Sequence, residues 1–239
     1  MRYPADQKEQ TRRKILEAAS RLFREKGYNG VGVDQVMAEA GLTAGGFYSH
    51  FHSKEALFSE SIAYILEIRE SESSSTLHGK SSRPDEAKSA DLHLLIKSYL
   101  SRTHRDMIAD GCVLPSLTPD VVRGSEDARA DFERLLLKIL ESVESKMTGE
   151  TDDRRERALA VLAQLVGGLM LSRAVNDRKL SDQMLLASRR GATHICGVDG
   201  PPDQRPQIET VRHQPHSISP KEYPNERPEQ NRRSNKQRQ

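Results

Sequence analysis

Along most of this chain the apolar positions recur every three or four residues, which is the signature of helices with one buried face. From Lys8 to Lys26, Ile15, Ala18, Ala19, Leu22 and Phe23 share one side, and Arg12, Arg13, Lys14, Arg21 and Arg24 decorate the rest. A helix is predicted there, ended by Gly27, with Tyr28 packing back. Val33, Val36, Met37 and Ala40 form a second, shorter face that Gly41 stops. Leu42 fits the gap before the next helix, for which Thr43 is a suitable N-cap. That helix opens on Ala44, Gly45 and Gly46. Phe47 and Phe51, four apart, are predicted to point inward, with Tyr48, Ser49 and His50 outward. Ser53 caps a further helix running through Ile62, Ile65 and Leu66 to Arg69.

Residues 71–90 are polar and read as a linker or mobile loop. Leu92, Leu95, Ile96, Tyr99, Leu100 and Met107 then predict one helix ending near Gly111, and the prolines at 115 and 119 make residues 112–119 a turn. Ser125 caps a helix whose stripe is Phe132, Leu135, Leu136, Ile139, Leu140, Val143 and Met147. Between Asp153 and Asn176, Leu159, Leu162, Val166, Leu169 and Met170 face one way, and Val161, Leu165, Gly168 and Leu171 another. A helix apolar on two sides is central or lies at an interface. Ser181 is read as the cap of a last helix through Met184, Leu185 and Ile195. The first seven residues read as a flexible arm. Residues 197–239, rich in Pro, Gln and mixed charge, read as a disordered tail whose basic end is Arg232, Arg233, Lys236 and Arg238. The fold class predicted is all-α.

Composition narrows the function classes. Among 239 residues 30% are charged, yet the net charge is +2, so overall charge does not mark a nucleic-acid binder. Two cysteines, Cys112 and Cys196, cannot build a disulfide framework and fit a reducing cytoplasm. The first twenty residues are too charged for a signal peptide. The most apolar run, Ala158 to Leu171, falls short of the roughly 20 residues that a membrane span needs, so a buried helix and no membrane partner are expected. None of the histidines stands beside a second ligand type at metal-binding spacing, and neither a glycine-rich phosphate loop nor a nucleophile elbow is present. No metal, no cofactor and no enzymatic activity are expected.

The stretch Val33 to Phe51 carries the chemistry. A short helix, a glycine turn and a second short helix make a helix-turn-helix. The small residues Ala44, Gly45 and Gly46 let backbone approach a DNA groove. The free N–H groups behind Ser53 form a phosphate site, to which Lys54 adds charge. Two short helices around a glycine also occur in all-helical interaction modules without a DNA role, and that reading stays open on these residues.

Further agreement extends well beyond the turn. A charged first helix ends in Leu22-Phe23 and, four residues on, Gly27-Tyr28. Val36-Met37-Ala38, Ala40-Gly41-Leu42-Thr43, Phe47-Tyr48, His50-Phe51, Ser53-Lys54-Glu55 and Leu57 follow at fixed spacing. Over residues 8–68 this resembles the DNA-binding domain of the TetR/AcrR family of bacterial transcriptional regulators. The resemblance implies a three-helix DNA-binding domain over 8–68, with its motif at about 32–51, and a helical effector-binding and dimerisation domain over 69–196. It also implies that Thr43, Ala44, Gly45 and Gly46 face the bases, and that Tyr48, His50 and Lys54 contact the DNA backbone. The implied partners are a double-stranded operator, a second copy through the last two helices, and a small lipophilic or aromatic effector that releases a cytoplasmic repressor. Leu95, Tyr99, Leu136, Leu140, Leu162 and Val166 are the expected pocket walls, with His93 or His104 as a titratable edge. The sequence departs from the family pattern at Val31 and Gly32, where a Thr or Ser often caps the second helix, and the side-chain phosphate contact there is lost.

Overall fold

A computed structural model describes residues 5–75, 84–149 and 151–197. The linker residues 76–83, arm residues 1–4 and tail residues 198–239 lie outside the described residues. Ten helical segments and no strand occur among the described residues. Helix α1 (Ala5–Lys26) begins inside the stretch read as an arm. Its buried side is Ile15, Leu16, Ala18, Ala19, Leu22 and Phe23, as the periodicity predicts. Helix α2 (Val33–Glu39) closes in a Schellman motif at Gly41, whose φ is +71°. There Leu42 N donates to Met37 O at 2.8 Å and Gly41 N to Ala38 O at 3.0 Å, so two orphan carbonyls are satisfied. Gly32 caps α2 with no side-chain bond.

The second helix of the motif is a 3-10 segment, Ala44–Ser49, rather than an α-helix. Two adjacent glycines, each about 1 kcal/mol worse than alanine in a helix, leave little to extend it. Thr43 stands at its N-cap position but its hydroxyl makes no cap bond. Helix α3 (Lys54–Ser75) starts as expected, with Ser53 Oγ accepting from Ala56 N at 3.1 Å.

The linker reading of 71–90 is shortened from both ends. Helix α3 continues to Ser75, and α4 (Pro84–Tyr99) opens on a proline, whose missing N–H costs nothing in a first turn. Met107 does not share the α4 stripe. Ser101 Oγ accepts from His104 N at 3.1 Å and starts a new helix, α5 (Arg102–Asp106), after which Met107 is 49% exposed. Residues 112–119 are not a turn but open α6 (Val113–Arg123). Pro115 falls among first-turn donors that have no intrahelical partner, and Pro119 is carried inside the helix.

Helix α7 (Glu126–Glu144) is capped by Ser125, whose Oγ accepts from Ala128 N at 3.3 Å. Helices α8 (Thr151–Ala174) and α9 (Arg178–Cys196) pack along each other. The cap of α9 is Asp177, which accepts from Lys179 N at 2.8 Å, rather than Ser181. Ser181 is buried. It accepts from Arg105 Nη1 at 2.9 Å and donates to Ser172 O at 2.6 Å. The buried Arg105 also holds Asp106 and Asp182, and its bond to Asp106, with a second from Arg178, draws the Asp106 carboxyl down to about 2. Short α5 is thereby pinned to α9, while Arg173 of α8 donates to the His104 and Arg105 carbonyls.

Two large apolar clusters result. One joins α1, α2, the 3-10 segment and α3 and runs on into α6 and α7 through Val113, Leu117, Val121, Ala128 and Leu135. The other joins α4, α7, α8 and α9. The two apolar sides expected of α8 are redistributed. Ala158, Val161, Leu162, Leu165, Gly168 and Leu169 face inward, and Leu159 and Leu171, at 49% and 54% exposed, face out.

The two glycines of α8 make opposite predictions. A Cβ on Gly168 would lie 2.2 Å from Ser188 Oγ of α9, whereas one on Gly167 would meet nothing within 4 Å. Gly168→Ala is expected to destabilise the protomer by about 1–3 kcal/mol through overpacking. Gly167→Ala should leave its stability equal or raise it by up to about 1 kcal/mol. Thermal unfolding of both variants checks the pair.

Candidate nucleic-acid interface

Phe47 and Phe51 set the geometry of the motif. Both rings are buried and stacked, centroids 5.7 Å apart, and Arg12 of α1 lies 4.8 Å over the Phe51 ring. Arg12 is also paired with Glu60 of α3, which commits a residue that looked like surface decoration. With two aromatic anchors inward, Tyr48 is forced outward and is 74% exposed. Thr43, Ala44 and Gly45 are exposed beside it and Gly46 is half-buried. Neither glycine has a positive φ, and an added Cβ meets nothing at Gly45 and Met37 Cε at 3.6 Å at Gly46. The protomer's own packing therefore does not require glycine at either place.

His50 is not fully outward as the pattern suggested. It is half-buried, and among the described residues its Nδ1 is enclosed without a hydrogen-bond partner. Burial lowers its pKa, Lys8 and Arg12 lower it further, and Glu9 opposes them. Lys54 is held rather than extended, its Nζ 4.1 Å from the Tyr28 ring centroid in a cation–π contact. Burial lowers its pKa, with the Asp120 carboxylate opposing. Tyr28 is itself fixed, its backbone N–H donating to Asp120 Oδ2 at 2.9 Å. Asp120 thus reaches from α6 to the loop that holds Lys54. Sequence reading missed this link because residues 112–119 looked like a turn, so no face could be assigned to the residue that follows.

The expected pocket walls separate. Leu95 and Tyr99 line a cavity of about 480 Å³ between α1, α3, α4 and the α5–α6 junction. Leu140 is buried in the α4–α7–α8–α9 cluster. Leu136, Leu162 and Val166 pack around Cys112 and Leu114. These four fill core and are not among the residues that line the cavity. His104 does line it, and His93 does not. The lining residues missed include Ser20 and Arg24 of α1, Ile65 of α3 and the residues just before α6. Among the described residues no three His, Cys, Asp or Glu side chains are placed to hold a metal ion.

An N-terminal helix-turn-helix carried on a second helical layer defines the class as a helix-turn-helix DNA-binding protein. Residues 15–60 match the family described as bacterial regulatory proteins, tetR family. A transcriptional regulator from Bacillus subtilis (strain 168), YxaF, is 30% identical over 173 residues, which cover 70% of this chain and 87% of that protein. The chain is also 24% identical over 184 residues to the transcriptional repressor DhaR of a Mycobacterium species, covering 73% of this chain and 88% of that one. The fold is that of Escherichia coli NemR in its reduced form, with a TM-score of 0.61 at 17% identity over 80% of this chain and 100% of that one. The chain belongs to the TetR family and is a transcriptional regulator.

The enclosed imidazole leads to a prediction about the pH dependence of DNA binding. His50 is held toward its neutral form, and a neighbouring phosphate favours the imidazolium, so DNA binding should take up a proton. Affinity should therefore rise as pH falls from 8 to 6, by a factor that stays below the limit of about tenfold set by a one-unit climb of the pKa on binding. His50→Gln should flatten the profile, as measured by fluorescence anisotropy at constant ionic strength.

Proposed function

We propose that this regulator is a homodimeric repressor that reads a two-fold operator and is released from it by a small lipophilic or aromatic molecule. Residues 8–68 are the DNA-binding domain and 69–196 the effector-binding and dimerisation domain. The observation that carries the reading is the outward Tyr48 between the buried Phe47 and Phe51, preceded in the chain by the uncovered Gly45 and followed by Lys54 at the start of α3. Thr43 to Gly46 meet the base edges, and Tyr48, His50 and Lys54 meet phosphates. Few side chains point from the double glycine, so specificity leans on backbone fit and DNA shape. Such a protein works in the cytoplasm, where the DNA is.

Dimerisation rests on an open stripe. Leu159, Ala163, Gly167 and Leu171 recur at four-residue spacing on the exposed side of α8, and Leu180 of α9 is exposed as well. Exposed apolar faces of this kind mark interfaces, and the open Gly167 allows a partner helix to approach closely. The relative from Mycobacterium is named a repressor, which supports repression here.

Purified protein should be dimeric by light scattering at micromolar concentration. It should protect two half-sites about one helical turn, roughly 34 Å, apart in the DNA upstream of its own gene. A monomer would contradict the assembly. Failure to retain that DNA even at low salt would favour an interaction module without a DNA role. Gly45→Ala should fold normally yet bind operator more weakly, because the Cβ that the protomer tolerates would stand against DNA. Unchanged affinity in that variant would remove the close-approach argument.

A further inference from the structure

Helix α6 has one end in each half of the molecule. Its start is fixed on the second half, where Leu114 packs with Leu162 of α8 and Cys112 N, at the N-cap, donates to His104 Nε2 of α5 at 2.9 Å. Its last turn reaches the DNA-binding half, where Val121 is buried in the same apolar cluster as Phe23 and Phe58. Beside Val121 stands the half-buried Asp120. Its Oδ2 accepts from Tyr28 N at 2.9 Å. The carboxylate comes this close because Gly27, with a φ of +71° at the end of α1, has no side chain. A Cβ there would lie 3.2 Å from the same oxygen.

The Tyr28 ring has a defined place. It stacks on Phe23 with centroids 6.0 Å apart and meets Phe58 edge to face at 5.2 Å. Both phenylalanines are buried. Lys54 Nζ lies 4.1 Å from the centroid of the Tyr28 ring. A chain of contacts therefore runs from Asp120 through Tyr28 to Lys54. An ammonium carries three N–H groups, so resting on a ring leaves donors for a phosphate. Lysine loses more rotamer freedom on being fixed than most side chains, so one already held on a ring meets a phosphate at lower entropic cost.

We propose that Asp120 is a positioning residue for DNA binding: by fixing the Tyr28 amide it holds the ring that places the Lys54 ammonium for a phosphate. The proposal rests on the reading above in which Lys54 meets DNA. Because α6 is anchored at its other end on α5 and α8, the amide is fixed from outside the DNA-binding helices. The negative charge of Asp120 by itself works against binding, since it repels phosphates. What favours binding is the bond to the amide. Asparagine keeps an oxygen acceptor of the same reach and drops the charge, whereas alanine drops both. The difference between those two variants therefore separates positioning from electrostatics.

The test uses the full chain, with circular dichroism to confirm folding and anisotropy of labelled DNA from upstream of its own gene to measure affinity. Asp120→Asn should bind as tightly as the wild type or more tightly. Asp120→Ala should bind about three- to tenfold more weakly than Asp120→Asn, the span of a coupling between contacting groups. On a Lys54→Ala background the two should bind alike. A magnetic resonance signature reads the contact itself. The Lys54 ε-methylene signal, identified by its loss in Lys54→Ala, should be shifted upfield by the ring in the wild type and in Asp120→Asn, and should move back in Asp120→Ala. Tyr28→Leu keeps the amide bond and removes the ring, so it should lose affinity only when Lys54 is present, and it decides the matter if Asp120→Ala does not fold. Equal affinities of Asp120→Asn and Asp120→Ala, the same difference without Lys54, or a Tyr28→Leu loss that persists without Lys54 would each overturn the positioning role. Lys54→Ala binding as tightly as the wild type would instead strike the Lys54 reading, and the proposal with it.

Discussion

Burial of Phe47 and Phe51 governs what the motif can present. Both rings are driven into the α1–α2–α3 cluster by the apolar area they remove from water, and truncating such a residue costs about 3–5 kcal/mol. Six residues of 3-10 segment with two central glycines would not hold a fixed shape by propensity. Tertiary anchoring supplies the shape. Everything outward follows from it, including the exposure of Tyr48, the half-enclosed imidazole of His50 and the uncovered backbone at Gly45. The Schellman turn at Gly41 sets the angle at which the chain enters this segment.

Helix α6 is shared between the two halves. Its Val113, Leu117 and Val121 sit in the same apolar cluster as Phe23 and Phe58, so the DNA-binding half does not close its core without them. Polar contacts follow the same seam. Asp120 takes the Tyr28 amide, Arg24 takes the Gly111 carbonyl, and Ser59 of α3 donates to Asp131 of α7 at 2.5 Å. A regulator acts through a difference in ligand affinity between two arrangements of such a seam.

Much of the fold was legible because helical periodicity and caps are local. Ser53, Gly41 and Ser125 end or start helices where the sequence says they should. The recognition segment was legible for the same reason, Phe47 and Phe51 being four apart. The failures are non-local or context-dependent. Pro115 and Pro119 look like a turn until helix α6 is seen to start two residues earlier. Ser181 looks like a cap, but an aspartate four residues before it accepts the first-turn N–H and a buried arginine takes the serine. Of the six residues expected to wall a pocket, Leu95 and Tyr99 line a cavity while Leu136, Leu140, Leu162 and Val166 pack in apolar clusters, because solid core and lined cavity have the same periodicity. Part of that cavity's polar wall comes from α1, whose Arg24 resembles any solvated arginine in the sequence.

The proposed interface requires Lys54 to meet a phosphate at the end of the motif. Operator affinity measured against salt tests this directly, because each neutralised phosphate contributes close to one unit of slope in log affinity against log salt. The slope of wild-type protein should be steep, and Lys54→Ala should lower it by about one unit while weakening binding evenly across operator and non-operator DNA. An unchanged slope in Lys54→Ala, with circular dichroism showing an intact fold, would contradict the interface described here.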